Sequence, residues 1–188
     1  MLVYLHGFNS SAQSNKARRL GEFLAQHGLS NHYASPTLHH SPVRAIALAE
    51  AAMGGCAGSA VCFVGSSLGG FYATHLAEKH NARAVLINPA INPHIGLRAY
   101  LGPQSNLYSG EQYELTEADL REWERLCMPR ITPERYLLLV ETGDEVLDYR
   151  DAQRYYAGAA QVIIEGGDHS LQSFPQHLPA ILKFAGLL

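Results

Sequence analysis

The sequence has little cysteine, little charge and no long apolar run, and each shortage excludes a class of protein. Three cysteines in 188 residues (Cys56, Cys62, Cys127), an odd count with no Cys-x-x-Cys pair, argue against a disulfide scaffold and against a cysteine zinc site. A reducing compartment is the simpler inference. Charged residues make up 16%, with 14 Lys+Arg against 17 Asp+Glu and a formal charge of −3, so the basic footprint of a nucleic-acid binder is missing. No stretch approaches the roughly 18 uninterrupted apolar residues of a transmembrane helix. The opening MLVYLHGFNSS has a short apolar run and no basic leader, and reads as a strand rather than a signal peptide. These features together predict a soluble, cytoplasmic protein with a small, nearly neutral partner, no membrane and no nucleic acid.

At 47% hydrophobic residues the chain is too apolar for a disordered one, and its length suits one domain, residues 1–188. Short apolar runs alternate with helix-period segments from end to end, the pattern of a parallel sheet covered by helices on both faces. Six strands are expected: Leu2 to Leu5, Asn31 to Ser35, Ala60 to Val64, Ala84 to Asn88, Tyr136 to Glu141 and Gln161 to Glu165. Ser14 is placed as an N-cap with apolar Ala17, Leu20, Phe23 and Leu24 on one face of the helix that follows. Ser41-Pro42 opens a second helix, Ser67 borders a third, Asp148 begins another, and a last helix runs from about Pro175. Between Asn88 and Tyr136 the rhythm breaks. This insertion, about residues 90–134, contains several prolines, Tyr100, Tyr108 and Tyr113, and a helix opened by a capping box at Thr116 and Asp119. It is a candidate lid or pocket wall.

The chemistry is most legible in Val61 to Gly70, an apolar strand running through Gly65-Ser66-Ser67-Leu68-Gly69 into a helix. A serine on such a turn is held in a strained backbone that only small neighbours, Gly65 and Gly69, accommodate, and its hydroxyl is lifted clear of the sheet. The Leu68 N–H and the helix start then face the place where negative charge would develop on an attacked carbonyl. The plainer alternative is a structural Gly/Ser turn; Ser66, off the centre of the motif, is read as support.

A serine needs a base, and the base needs an acid to orient it. After the fifth expected strand comes Thr142-Gly143-Asp144-Glu145-Val146-Leu147-Asp148, and after the sixth Gly166-Gly167-Asp168-His169-Ser170. Both follow strand C-terminal ends, where open α/β sheets bind ligands. Asp144, just after the turn glycine, is preferred as the acid, although it could be an Asx-turn residue; Asp148 has an ordinary duty as an N-cap. His169, beyond two glycines and before the last helix, is the expected general base and acid among ten histidines, and must be neutral to act as the base. His75 and His80, five apart on a helix, do not make a zinc pair, and no metal is expected. A second oxyanion donor fits the Phe8 N–H after Gly7, which lets the backbone turn toward the site, with His6 bracing the loop.

The chain resembles a compact α/β-hydrolase, and within that superfamily it is similar to the YqiA-like esterase family. The resemblance rests on YLHGFNSS at Tyr4 to Ser11, GSSLGGFYATHLA at Gly65 to Ala77, INPAINP at Ile87 to Pro93, TGDEVLDYR at Thr142 to Arg150 and IEGGDH at Ile164 to His169. It implies a serine esterase for short-chain acyl esters, without cofactor, using Ser67, Asp144 and His169. Asp168 departs from the pattern, since an asparagine is also at home there. On this plan the sheet would be six-stranded and all parallel, order 2-1-3-4-5-6. A thioesterase, for which Arg98, Arg121, Arg125 and Arg130 leave room at the mouth, and a catalytically idle interaction module stand as alternatives.

Overall fold

A computed structural model describes residues 1–54, 56, 60–106 and 108–188. Its centre is a parallel sheet whose four inner strands are buried on both faces. In chain order the elements are β1 (Leu2–Leu5), α1 (Asn15–Gln26), β2 (Tyr33–Ala34), α2 (Pro42–Ala51), β3 (Cys62–Ser66), α3 (Leu68–His80), β4 (Arg83–Ile87), α4 (Pro93–Gly96), β5 (Gly102–Ser105), β6 (Gln112–Leu115), α5 (Glu117–Leu126), β7 (Tyr136–Glu141), α6 (Tyr149–Tyr155), β8 (Ala160–Ile164) and α7 (Phe174–Phe184). The six-stranded sheet has the order β2-β1-β3-β4-β7-β8, every pairing parallel.

Alternation along each strand divides the interior in two. Val3, Leu5, Phe63, Leu86 and Leu138 point to the side covered by α2, α3, α5 and α6, where Trp123 and Tyr156 are fully buried. Leu2, Tyr4, Val64, Val85 and Leu139 point to the other side, against Leu20 and Leu24 of α1 and Leu178, Ile181 and Leu182 of α7. Both faces being dry explains why these strands are apolar throughout rather than alternating.

Three expectations need correction. Among the described residues there are eight strands, not six: β5 and β6 form a separate antiparallel hairpin inside the insertion, so the last two strands of the main sheet are β7 and β8, not the fifth and sixth. The second strand shrinks from five residues to two, with a 3₁₀ turn at Ser30–His32 taking its first part; at the sheet edge it has one neighbour to pair with. Ser14 precedes α1 as placed, but its hydroxyl makes no capping hydrogen bond. The capping box at Thr116 is present in full, with the Asp119 carboxylate accepting from the Thr116 amide at 2.8 Å.

Candidate active site

The C-terminal ends of β1, β3, β7 and β8 deliver the residues singled out from the sequence. β3 runs into α3 through Ser67, whose backbone sits at φ 55°, ψ −120°. A side chain in that region carries on the order of 1–3 kcal/mol of strain, tolerated only where the surroundings over-determine it. Here they do: the Ser67 N–H donates to the Ile87 carbonyl at 3.0 Å, and the Ser67 carbonyl accepts from Gly70 at 2.9 Å and Ala90 at 3.1 Å. The flanking glycines are required by contact. A Cβ on Gly65 would overlap the Gly69 carbonyl, and one on Gly69 would overlap the Leu5 carbonyl.

Gly7 lets the loop after β1 pass close to the serine. It has no left-handed torsion angle; a Cβ there would lie 3.3 Å from the Ser66 carbonyl and 3.3 Å from the Ser67 Cβ, so glycine serves close approach to the serine. The positive φ of the loop falls on Asn9 instead, at 49°. His6 is buried and fixes the loop: its Nε2 accepts from the Leu38 amide at 2.9 Å and its Nδ1 faces the Gly7 carbonyl at 2.9 Å, which assigns the proton to Nδ1. Burial lowers its pKa and keeps it neutral.

His169 and Asp144 meet across the tips of two loops. His169 Nδ1 lies 2.8 Å from Asp144 Oδ2 and 2.9 Å from Oδ1. The Asp144 side chain is only 2% exposed, and its Oδ1 also accepts from the Val146 and Leu147 amides at 2.9 and 2.8 Å. Burial alone would raise its pKa, but the His169 bond and these two amides outweigh it and hold the carboxyl below the usual range. Asp148 is elsewhere employed, capping α6 by accepting from the Arg150 amide at 3.0 Å and pairing with the Arg150 side chain. Asp168 turns from the histidine ring toward its own turn, accepting from the Ser170 amide at 2.8 Å and from the Gln172 side chain at 2.6 Å. The His169 amide donates to Glu145 at 3.0 Å, and Lys16 Nζ donates to the Ser170 carbonyl at 2.7 Å.

Ser67 and His169 open into one cavity of about 660 Å³, which Phe8 and Leu68 also line. Among the described residues, neither the Phe8 nor the Leu68 amide donates to another protein group. The insertion supplies the apolar wall through Ile91, Pro93, Leu97, Tyr100 and Tyr108. The hairpin is tied to the loop after β1: Tyr113 OH donates to Asn9 Oδ1 at 2.7 Å, and Asn106 Nδ2 to the Ser10 carbonyl at 2.9 Å. Tyr72 and Trp123 fill the core, joined by a 2.8 Å bond from the indole N–H to the phenol oxygen. Of the four insertion arginines, none lines the cavity, and Arg98 pairs with Glu117 at 2.6 Å.

His39, His40 and Glu111 place one donor atom each within 4.8 Å of one another. They do not fit a cation. The Ser41 amide donates to His39 Nδ1, and the Arg44 guanidinium lies 3.0 Å from His39 Nε2, putting a permanent positive charge at one of the three donors. Two buried polar residues, Asn88 and Glu141, escaped the sequence reading altogether, and both touch the loop that carries His169.

Residues 1–186 match the model of the family described as "Uncharacterised protein family (UPF0227)". The chain belongs to that family. Its fold is shared with solved structures described as α/β-hydrolase and esterase proteins. The α/β-hydrolase domain-containing protein 10 from mouse superposes with a TM-score of 0.73 at 16% identity, covering 99% of this chain and 88% of its own. Est1E from Butyrivibrio proteoclasticus gives 0.68 at 15% identity, covering 97% and 85%. The esterase domain of a Rhodothermus marinus protein gives 0.61 at 17%, covering 98% and 84%. Among the described residues no helix is long and apolar enough to cross a membrane.

Proposed function

We propose that this chain is a serine hydrolase that cleaves short-chain carboxylic esters by two-step acyl transfer. The observation that carries the reading is His169, paired with the buried Asp144 and facing the same cavity as a serine held at positive φ. With Asp144 on Nδ1, the Nδ1 proton is committed and Nε2 is the free base. His169 Nε2 takes the Ser67 proton as Oγ attacks the ester carbonyl, and Asp144 stabilises the imidazolium so formed. The Phe8 and Leu68 amides, unclaimed among the described residues, donate to the oxyanion, aided by the N-terminus of α3. The imidazolium protonates the departing alcohol; water then enters by the same route and releases the acid. The names of Est1E and the Rhodothermus domain agree with esterase chemistry.

The insertion serves in this reading as a fixed pocket wall, since Trp123 anchors it in the core and Tyr113 and Asn106 bind it to the loop after β1. A thioester would meet the same catalytic groups, but the absence of Arg98, Arg121, Arg125 and Arg130 from the cavity lining favours the oxygen ester over a thioester with an anionic carrier. Initial rates on paired oxygen esters and thioesters of one acyl group test this: a preference for the oxygen ester is expected, and turnover confined to the thioester would reverse the choice.

A further inference from the structure

Glu141 ends β7 with its residue surface 1% exposed, three positions before Asp144. A buried carboxylate is costly unless its lone pairs are filled. Here four hydrogen bonds fill them, all from residues 168–173, the segment containing His169. Oε2 accepts from the Asp168 amide at 2.9 Å and the Gln172 amide at 3.1 Å; Oε1 accepts from the Ser173 amide at 3.0 Å and the Ser173 hydroxyl at 2.6 Å. Burial works against the charge, yet these bonds prevail and keep the group ionised, below the usual carboxylate range.

Asn88 completes the grip from the other side. It leaves β4 at φ 39°, 2% exposed. Its Oδ1 accepts from the Glu141 amide at 3.1 Å, while its Nδ2 donates to the carbonyls of Asp168 and His169, each at 3.1 Å. Glu141 therefore holds N–H groups of the segment and Asn88 holds its carbonyls. Gly167, at φ 70°, leaves room for this: a Cβ there would overlap the Glu141 carboxylate.

We propose that Glu141, together with Asn88, is a positioning residue that fixes the backbone under His169 so that the imidazole stays on Asp144 and reaches Ser67. The proposal rests on the serine-hydrolase reading above. Only a carboxylate suits the place, because each of its two oxygens faces a backbone N–H, which can only donate. An amide at 141 would turn an NH₂ against backbone N–H groups and push the segment away.

The test compares wild type, Glu141→Gln and Ser173→Ala, each confirmed folded by near-UV circular dichroism and melting above the assay temperature. Readouts are kcat and KM on a p-nitrophenyl ester and the rate of fluorophosphonate labelling of Ser67. Displacement of a catalytic group by an ångström costs on the order of 100-fold. Glu141→Gln is therefore expected to lower kcat and the labelling rate together by roughly 10- to 100-fold with KM unchanged. Ser173→Ala, losing one bond, should fall roughly two- to tenfold. A structural role would lower the melting temperature and leave both rates per folded molecule at the wild-type value. A folded Glu141→Gln with wild-type kcat overturns the proposal. Should Glu141→Gln fail to fold, Ser173→Ala decides, and wild-type rates there overturn it. Wild type inert to every ester and to the label would instead overturn the hydrolase reading, and this proposal with it.

Discussion

Replacing Asp144 by asparagine changes one atom of the candidate site, and the structure dictates how the new side chain must sit. Oδ1 accepts from the Val146 and Leu147 amides at 2.9 and 2.8 Å, and both of these can only donate. The asparagine oxygen must therefore take that position, 2.9 Å from His169 Nδ1, which puts its NH₂ in the place of Oδ2, 2.8 Å from the same nitrogen. Nδ1 becomes an acceptor, the ring proton moves to Nε2, and the nitrogen facing the serine can no longer take a proton. The expected loss in kcat is on the order of 10⁴-fold, about 5 kcal/mol of transition-state stabilisation, with the fold intact. The assay is steady-state hydrolysis of a soluble p-nitrophenyl ester, with Asp148→Asn as the control. Asp148 caps α6 at the surface, and its amide variant should stay close to wild type. A folded Asp144→Asn variant within about tenfold of wild type, or an Asp148→Asn variant equally impaired, would refute the assignment of the acid.

Three further outcomes follow from the same coordinates. Gly69→Ala would drive a methyl group into the Leu5 carbonyl, a backbone atom of β1, so the variant should unfold on the order of 3 kcal/mol or more below wild type in urea titration; an unchanged midpoint would contradict the packing. Glu78 accepts from the Thr132 amide at 2.7 Å, Arg135 at 2.9 Å and the Tyr136 hydroxyl at 2.7 Å, and these bonds override burial to depress its pKa. Because the folded value lies below the unfolded one of about 4.3, its contribution is complete above that pH and is lost as pH falls through the folded value. Glu78→Gln should thus cost roughly 1–3 kcal/mol at pH 7, with the gap from wild type closing below about pH 4; a gap that widens on acidification would be the wrong sign. Tyr113→Phe removes the 2.7 Å bond to Asn9 that ties the hairpin to the loop after β1. A few-fold fall in kcat with little change in melting temperature is expected, roughly what one hydrogen bond is worth; a purely stability-based effect would show that the hairpin does not steady this loop.

The parts of the molecule written in local patterns were readable before any coordinates. The strand, Gly65-x-Ser67-x-Gly69 and helix are contiguous, and the β7 and β8 loops announce themselves by glycine and acid placed just past apolar runs. The hairpin was missed because Gly102-Pro103-Gln104-Ser105 has no β-branched or aromatic residue and carries a proline; its apolar contacts come from Tyr113 and Leu115 of β6 alone. Asn88 and Glu141 were missed for a different reason. Each ended an expected strand and looked like an ordinary terminus, while their partners lie 27 to 81 positions away, a relation that only the folded chain creates. Gly7 is legible as the residue that lets the loop turn toward the site, whereas how near Ser67 comes to its backbone is a tertiary contact.

The most direct test of the central claim is hydrolysis of p-nitrophenyl acetate, butyrate and octanoate by wild type and Ser67→Ala, with fluorophosphonate labelling of both. Wild type should turn over and take up the label, and Ser67→Ala should lose both, with kcat down on the order of 10³-fold or more. A folded wild type that neither hydrolyses any of the three esters nor labels, or a Ser67→Ala variant that keeps its turnover, would contradict it.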